Sequence, residues 1–473
     1  MHRLFQLVLF LIFISITSFA QWSADPAKNF RIGDTTMSQD LPKVATSPDG
    51  GSYISWFANG NGGYKLYMQR LDAAGKKQWG EGGLLISAHP QNTYLVDYSL
   101  ITDKNNNAVV AFVDVRTGSM ATVAYMISPA GKFVWGADGL LLLSGSGSAT
   151  NPSIAATTEG KFVIAWNASD EVDKIAMQMI SADGKVLWGD KPVVYGSGNN
   201  EEGYLTPLLV PSDKGSVIMV HSVSTGKFPG QSIRFFAQKI NAKGSIEWKK
   251  GGVPVQSIGY AMKFSSPFVA SDGANGAIVS WYDDRNLTNI QSGWVQRINP
   301  NGTFAFPADG AEFSSKKGFN KYNSVACRLS ATNEIIVFWK MANASQSEEG
   351  IYAQKFDSKG KKLWGDDGVE IEKIGIARYS HFDVVGTAKS ASLFYISSDF
   401  TGFKSTIKGI TLPSSGLKNS SGIFDVSSVE SERSRIGADL DKSNSAIVVW
   451  SDKRTGKDLV YGQKVTEKNS KGK

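Results

Sequence analysis

Three times in this chain an aspartate and an arginine stand two residues apart behind a large aromatic residue. The segments are Phe112-Val-Asp114-Val-Arg116, Trp281-Tyr-Asp283-Asp284-Arg285 and Trp450-Ser-Asp452-Lys-Arg454. An aspartate that opens a turn accepts hydrogen bonds from its own following backbone. An arginine two residues later can grip a carboxylate with two parallel N–H donors. Two uses are open at this level. The pairs brace a turn, or Asp114, Arg116, Asp283, Asp284, Arg285, Asp452 and Arg454 form a ring of charge around a ligand.

Other reactive chemistry is sparse. Beyond the first few residues the histidines are His89, His221 and His381, far apart and without a partner two or four positions away. That spacing argues against a histidine metal centre. Cys327 is the sole cysteine, so no intrachain disulfide can form, and its alternating strand context predicts a small buried apolar residue. No G-x-S-x-G elbow, H-E-x-x-H helix or phosphate-cradling loop occurs. Carboxylates are numerous enough that a glycosidase-type pair stays open, but nothing in the order of residues singles out two of them. No metal and no cofactor is expected.

The scaffold that must position these residues is a repeat. Gln354 to Glu372, QKFDSKGKKLWGDDGVEIE, has close copies beginning at Gln69, Gln178, Gln238 and Gln296, and a variant at Tyr125. The aromatic in it falls at Trp79, Trp135, Trp188, Trp248, Phe306 and Trp364, in steps of 56, 53, 60, 58 and 58 residues. A fixed period of this size is the mark of a repeat architecture. Each unit carries four short β-branched and aromatic runs separated by Gly, Asn, Asp and Pro clusters, which are strand and turn signals. A second aromatic series, assigned to the second strand, runs Trp56, Phe112, Trp166, His221, Trp281, Trp339, Tyr395 and Trp450, which makes eight units. His221 stands where most units have tryptophan and reads as a packing substitute.

The ends of the chain decide between an open and a closed array. The eighth unit, around Ile447 to Trp450 and Leu459 to Val465, has no fourth strand, and Trp22 to Asp34 reads as a fourth strand with no unit. A spare piece matching a missing piece predicts that the ends meet. The expected fold is therefore all-β, an eight-bladed β-propeller of four-stranded antiparallel sheets, with a solenoid as the alternative. Residues 21–465 form the single propeller domain, and about 22–34 complete the last blade.

Outside that domain, residues 1–20 read as a signal peptide: His2 and Arg3, an apolar run from Leu4 to Ile16, then Ser18-Phe19-Ala20 as a cleavage site. Export follows, to the periplasm, the outer membrane surface or the exterior, with no lipoprotein anchor because no cysteine follows the apolar run. No later stretch suffices for a transmembrane helix. Residues 466–473 are a basic tail. The net charge is +7 on 473 residues, but the lysines are scattered rather than interleaved with aromatics, so nucleic acid is not an expected partner.

The links between strands one and two and between strands three and four are tight throughout. Those between strands two and three, and between units, vary in length. Antiparallel strand order puts both variable sets on one rim, and variable loops are where function concentrates.

The pattern W-x-D-x-R-x-G, followed by Y-x-Q-K/R-x-D-x-x-G-K-x-L-W-G, is best seen at Trp450 to Val465 and Ile351 to Gly365. It resembles a class of exported bacterial propeller repeat proteins, common in Bacteroidetes and mostly of unassigned activity. That resemblance implies the propeller fold and a place in the cell envelope. The pieces Asp183-Gly-Lys-Val-Leu-Trp188 and Gly360-Lys-Lys-Leu-Trp364 also resemble the tryptophan-docking repeats of pyrroloquinoline-quinone dehydrogenases, another eight-bladed group. Those enzymes need a Ca²⁺ site and often a vicinal cysteine pair, which Cys327 alone cannot supply. The functional expectation is a non-enzymatic propeller that binds a protein or polysaccharide through the variable rim. The alternative is a carbohydrate-active hydrolase or lyase with a carboxylate site on that rim. Oligomeric state is not legible.

Overall fold

The computed structural model describes residues 22–60, 62–89, 91, 97–143, 147–197, 201–226, 230–261 and 265–466. The predicted signal peptide and nearly all of the predicted basic tail lie outside the described residues. No helix among the described residues is long and apolar enough to cross a membrane.

Eight four-stranded antiparallel sheets follow one another along the chain. Blade 1 is Ser38–Thr46, Ser52–Gly60, Gly63–Leu71 and Leu84–Leu85. Blade 4 is Glu202–Pro211, Val217–Thr225, Ser232–Ile240 and Val253–Pro254. Blade 5 is Phe268–Ser271, Ala277–Asp283, Ser292–Ile298 and Ala311–Glu312, and blade 6 begins at Phe319–Leu329. Blade 8 is Arg433–Leu440, Ala446–Asp452 and Leu459–Val465, and its fourth strand is Phe30–Arg31 from the other end of the chain. Phe30 pairs with Gly462 and Arg31 with Tyr461. Each first strand packs against the next blade's first strand, and blade 8 closes onto blade 1, so the array is a ring.

The second strands are the most deeply buried elements because both faces are covered by neighbouring blades. Trp56, Trp166, Trp281, Trp339 and Trp450 lie mid-strand and are almost fully buried. Each buries about 200 Å², worth roughly 5 kcal/mol gross at ~25 cal/mol per Å².

The other aromatic series is placed differently from expectation. Trp79, Trp135, Trp188, Trp248, Phe306 and Trp364 precede the fourth strands rather than lying in them, because the chain bends at this residue after the strand-three turn. Their rings lie on the turn glycine of the next blade: Trp79 on Gly131, Trp135 on Gly184, Trp188 on Gly244, Trp248 on Gly302, Phe306 on Gly360 and Trp364 on Gly416. These glycines have positive φ, which favours glycine at each, and at Gly184, Gly244, Gly302 and Gly360 a Cβ would also press into the ring. The indole nitrogens of Trp79, Trp135 and Trp188 donate to the carbonyls of Pro129, Ala182 and Ala242 in those same turns.

The repeated glutamine locks this bend. The Gln69 side-chain amide donates to the Gly80 carbonyl, and its oxygen accepts from the backbone N–H groups of Arg70 and Trp79. Gln178, Gln238, Gln296 and Gln354 repeat the clamp. In blade 8 the clamp crosses the closure: Gln463 donates to the Ser23 carbonyl, and Trp22 lies on Gly75 of blade 1. The amino-terminal piece therefore enters in the same register as every other fourth strand.

Six first strands break register with a two-residue bulge, and Leu41, Asn151, Thr206, Asn323, His381 and Arg435 have positive φ there. These bulges gather around the axis. Lys43 pairs with Asp97 at 2.9 Å across blades 1 and 2. Burial opposes the Asp97 charge, but Lys43 prevails and holds its carboxyl below the usual range.

Candidate functional site at the variable rim

Each Asp-x-Arg pair caps the exit of a second strand, at the start of the link to the third. Asp114, Asp283 and Asp452 are fully buried. Arg285 donates from Nε to Asp283 at 2.9 Å and from Nη2 at 2.8 Å, and also reaches the Asp309 carbonyl. Its guanidinium lies 3.4 Å from the centre of the Trp294 ring, and Trp281 Nε1 donates to Asp283 at 2.9 Å. Arg116 holds Asp114 in the same manner and donates to the Tyr125 hydroxyl and the Asp138 carbonyl. Arg454 holds Asp452 and stacks on Tyr461.

Asp452 also accepts from the fully buried Arg433 at 2.9 Å and from Trp450 Nε1. Burial opposes its charge, but Arg454, Arg433 and Trp450 hold its carboxyl below the usual range. Arg433 is pushed down by burial and by the like charge of Arg454, against the pull of Asp452. These carboxylates are engaged by donors of the chain itself, and the arrangement is that of a brace. Asp284 differs: it is half-buried and accepts from the backbone of Thr288 and Asn289, shaping the loop beyond.

That loop walls a cavity of about 580 Å³ between blades 5 and 6. Asn286, Thr288, Ile290 and Ser292 line one side, and Glu312, Ser315, Lys316, Lys317, Gly318 and Lys321 the other. The blades are stitched behind it. Gln291 N–H donates to Asn320 Oδ1, and Lys321 N–H donates to the Gln291 carbonyl. Gly293 allows this approach, because a Cβ there would sit 2.3 Å from the Phe313 ring and 3.1 Å from Lys321 Cβ. Lys321 Nζ donates to the Lys316 carbonyl at 2.8 Å, and Lys316 Nζ stands 4.6 Å from the Phe319 ring centre. Lys362 donates to Ser315 Oγ and the Asp366 carbonyl.

The cavity holds three lysines and one carboxylate. Burial raises the Glu312 carboxyl above the ordinary glutamate range despite Lys321, Lys362 and Arg285. Burial lowers Lys321, opposed by Glu312 and Asp367. The two groups are shifted toward each other in a solvent-open cavity, a pattern enriched at binding and catalytic sites.

The motif thus leads to the cavity through Asp283, Asp284 and Arg285. Asp114 with Arg116 and Asp452 with Arg454 lie in blades 2 and 8, away from it. Glu312, Lys316, Lys317 and Lys321 were missed because they belong to no repeat. The one trace they leave is the lysine pair in an inter-blade link of variable length. No cluster of three His, Cys, Asp or Glu suited to a metal occurs among the described residues. Cys327 lies against Gly386, and burial pushes its thiol up to about 12, an unreactive state. Among the described residues, the four most exposed large apolar ones, Leu287, Ile376, Phe400 and Phe403, all sit in links of this rim.

No protein-family model matches this chain, and no curated protein matches it in sequence. In structure it is similar to a polysaccharide lyase of family PL25, an ulvan lyase bound to -[GlcA(1-4)Rha3S]-, with TM-score 0.51, 8% identity, and 92% of this chain and 95% of that one covered. A second structure of PL25 ulvan lyase gives TM-score 0.50 at 9% identity, covering 92% and 95%. The Dos1 propeller gives TM-score 0.50 at 11% identity, covering 93% and 95%. At such identities the likeness is one of fold, and the fold of this chain is the eight-bladed β-propeller.

Proposed function

We propose that this protein is an exported β-propeller that binds an acidic glycan through its variable rim, as part of a cell-envelope assembly. The observation that carries the reading is the cavity between blades 5 and 6, where Lys316, Lys317 and Lys321 face one carboxylate, Glu312, among hydroxyl and amide side chains. Lysines in a half-enclosed cavity favour carboxylate or sulfate, and Asn286, Thr288, Ser292 and Ser315 suit sugar hydroxyls. The similar propeller seen bound to a GlcA-containing glycan supports this choice of ligand over a protein. The test is calorimetric titration with a glucuronate oligosaccharide. Salt-sensitive binding is expected, weakened about tenfold in a Lys316→Gln, Lys317→Gln double variant. Absence of binding by the folded wild type would remove the reading.

A second reading, an enzyme acting on such a glycan, draws on Glu312, whose carboxyl burial raises, and Lys321, whose ammonium burial lowers. Chain-cleavage assays with the wild type and Glu312→Gln decide it. Binding without cleavage would leave the non-enzymatic reading standing alone.

A further inference from the structure

Blade 4 lacks a packing contact that recurs in three other blades. In blades 1, 5 and 6 the second-strand indole presses its edge on a glycine ahead of the fourth strand. A Cβ on Gly83, Gly310 or Gly368 would stand 2.9, 2.7 or 2.9 Å from the Cη2 atoms of Trp56, Trp281 and Trp339. In blade 4 the equivalent residues are Gly252 and His221. An imidazole is shorter than an indole, and the nearest side-chain atom to the Gly252 Cβ position is the Tyr195 hydroxyl of blade 3, at 3.2 Å. The His221 ring lies 5.6 Å from Tyr204 and 6.2 Å from Phe236, nearly parallel to both, with the edge of Tyr195 at 5.2 Å. His221 is 0% exposed, and neither of its nitrogens has a hydrogen-bond partner of normal geometry; nor does the Tyr195 hydroxyl.

A cavity of about 520 Å³ opens beside this joint at the variable rim. Tyr204, Phe236 and Gly252, which border His221 and Tyr195, form part of its wall. Its charged residues are Arg234, Lys249, Lys250 and Glu202, three cations against one carboxylate. The Arg234 guanidinium lies 4.7 Å from the centre of the Tyr260 ring, another wall residue, which keeps it extended over the cavity. Aromatic faces beside fixed cations make a surface for a ring that is apolar on one face and anionic at one end.

We infer that the cavity on blade 4, beside the His221 joint, is a second, separate binding site for a carboxylated sugar unit. The sugar carboxylate pairs with Arg234 and the Lys249–Lys250 pair. A C–H face lies on the Tyr204 and Phe236 side. The inference stands on its own residues and does not require the blade 5–blade 6 cavity to be used.

The test is calorimetric titration of the full chain with a glucuronate tetrasaccharide and with its carboxyl-reduced counterpart. Three proteins are compared: wild type, His221→Trp and Arg234→Gln. The first variant puts the larger indole that five of the other seven blades use against Tyr204 and Phe236, and the second changes only the cavity wall. The expected result is a class of sites in the wild type that rejects the reduced sugar. It disappears in His221→Trp and weakens about tenfold in Arg234→Gln. Unchanged stoichiometry in a folded His221→Trp, or unchanged affinity in Arg234→Gln, would overturn it. Repeating the titration on Lys316→Gln, Lys317→Gln separates the two sites. Binding abolished there and untouched by the blade 4 variants would refute this inference and leave the proposed function intact.

Discussion

Replacing His221 with tryptophan should change how stability depends on pH, by an amount the structure sets. Burial drives the His221 imidazole from its ordinary 6.5 down to about 3, with only a weak opposing pull from the Met219 backbone. The neighbours Tyr195 and Tyr204 are phenols held above their ordinary range, by burial first, so they carry no charge to offset an imidazolium. The depressed folded-state value means that the unfolded chain takes up the proton first. The contribution of neutral His221 to stability is therefore full above pH 6.5 and is lost as pH falls toward about 3. The slope approaches 1.36 kcal/mol per pH unit, so wild type should lose about 2–3 kcal/mol from this residue between neutral pH and about pH 4.5.

Other groups titrate in that range. Burial and Arg435 lower His381 to about 4, which adds loss of the same sign. Burial raises Asp383 to about 6, so its contribution is lost on the alkaline side and acts in the opposite sense. The comparison with His221→Trp cancels both. Urea unfolding of the two proteins at neutral pH and at about pH 4.5 is the assay. A difference of differences under about 1 kcal/mol would refute the assignment of a buried neutral imidazole.

Further outcomes follow from the same geometry. Asp283→Ala leaves Arg285 and Trp281 Nε1 without their shared acceptor in a buried corner, and should cost about 3–5 kcal/mol by thermal or urea unfolding; Asp284→Ala, half-buried and bonded only to loop backbone, should cost about 1 kcal/mol. Gly293→Val drives a side chain into Phe313 and Lys321, so it should weaken glucuronate binding at the blade 5–blade 6 cavity while leaving a blade 4 site unaltered in calorimetry. Deleting residues 21–34 removes the strand paired with Tyr461 and Gly462, and should abolish cooperative melting; adding the missing peptide in trans should restore part of it.

The ring was legible in the order of residues because its packing is periodic. The aromatic beside each strand-three turn must meet the next blade's turn glycine, so the two recur with the blade. Gln463 and Trp22 repeat that chemistry across the chain ends, and for that reason the closure could be anticipated. The exact seat of the aromatic could not be, since a residue that ends a bend and one that starts a strand look alike in a short apolar run. The Asp-x-Arg pairs were visible as a motif, but their burial depends on Tyr125, Trp294 and Tyr461 from the third strands. The cavities were not legible. Lys321 meets Gln291 only because two blades abut, and no spacing rule links the residues of two links in different blades. His221 was visible as the odd member of a tryptophan series. The cavity beside it depends on Tyr204, Phe236 and Arg234, which sit outside that series.

The claim on which the account rests is that the variable rim recognises the negative charge of a glycan. The most direct measurement is titration of the full chain with a glucuronate oligosaccharide and with the same oligosaccharide after carboxyl reduction, at low and at high salt. The account predicts binding of the acidic sugar that weakens with salt, and little binding of the reduced one. Equal affinity for both, or no binding of either by folded protein, would contradict it.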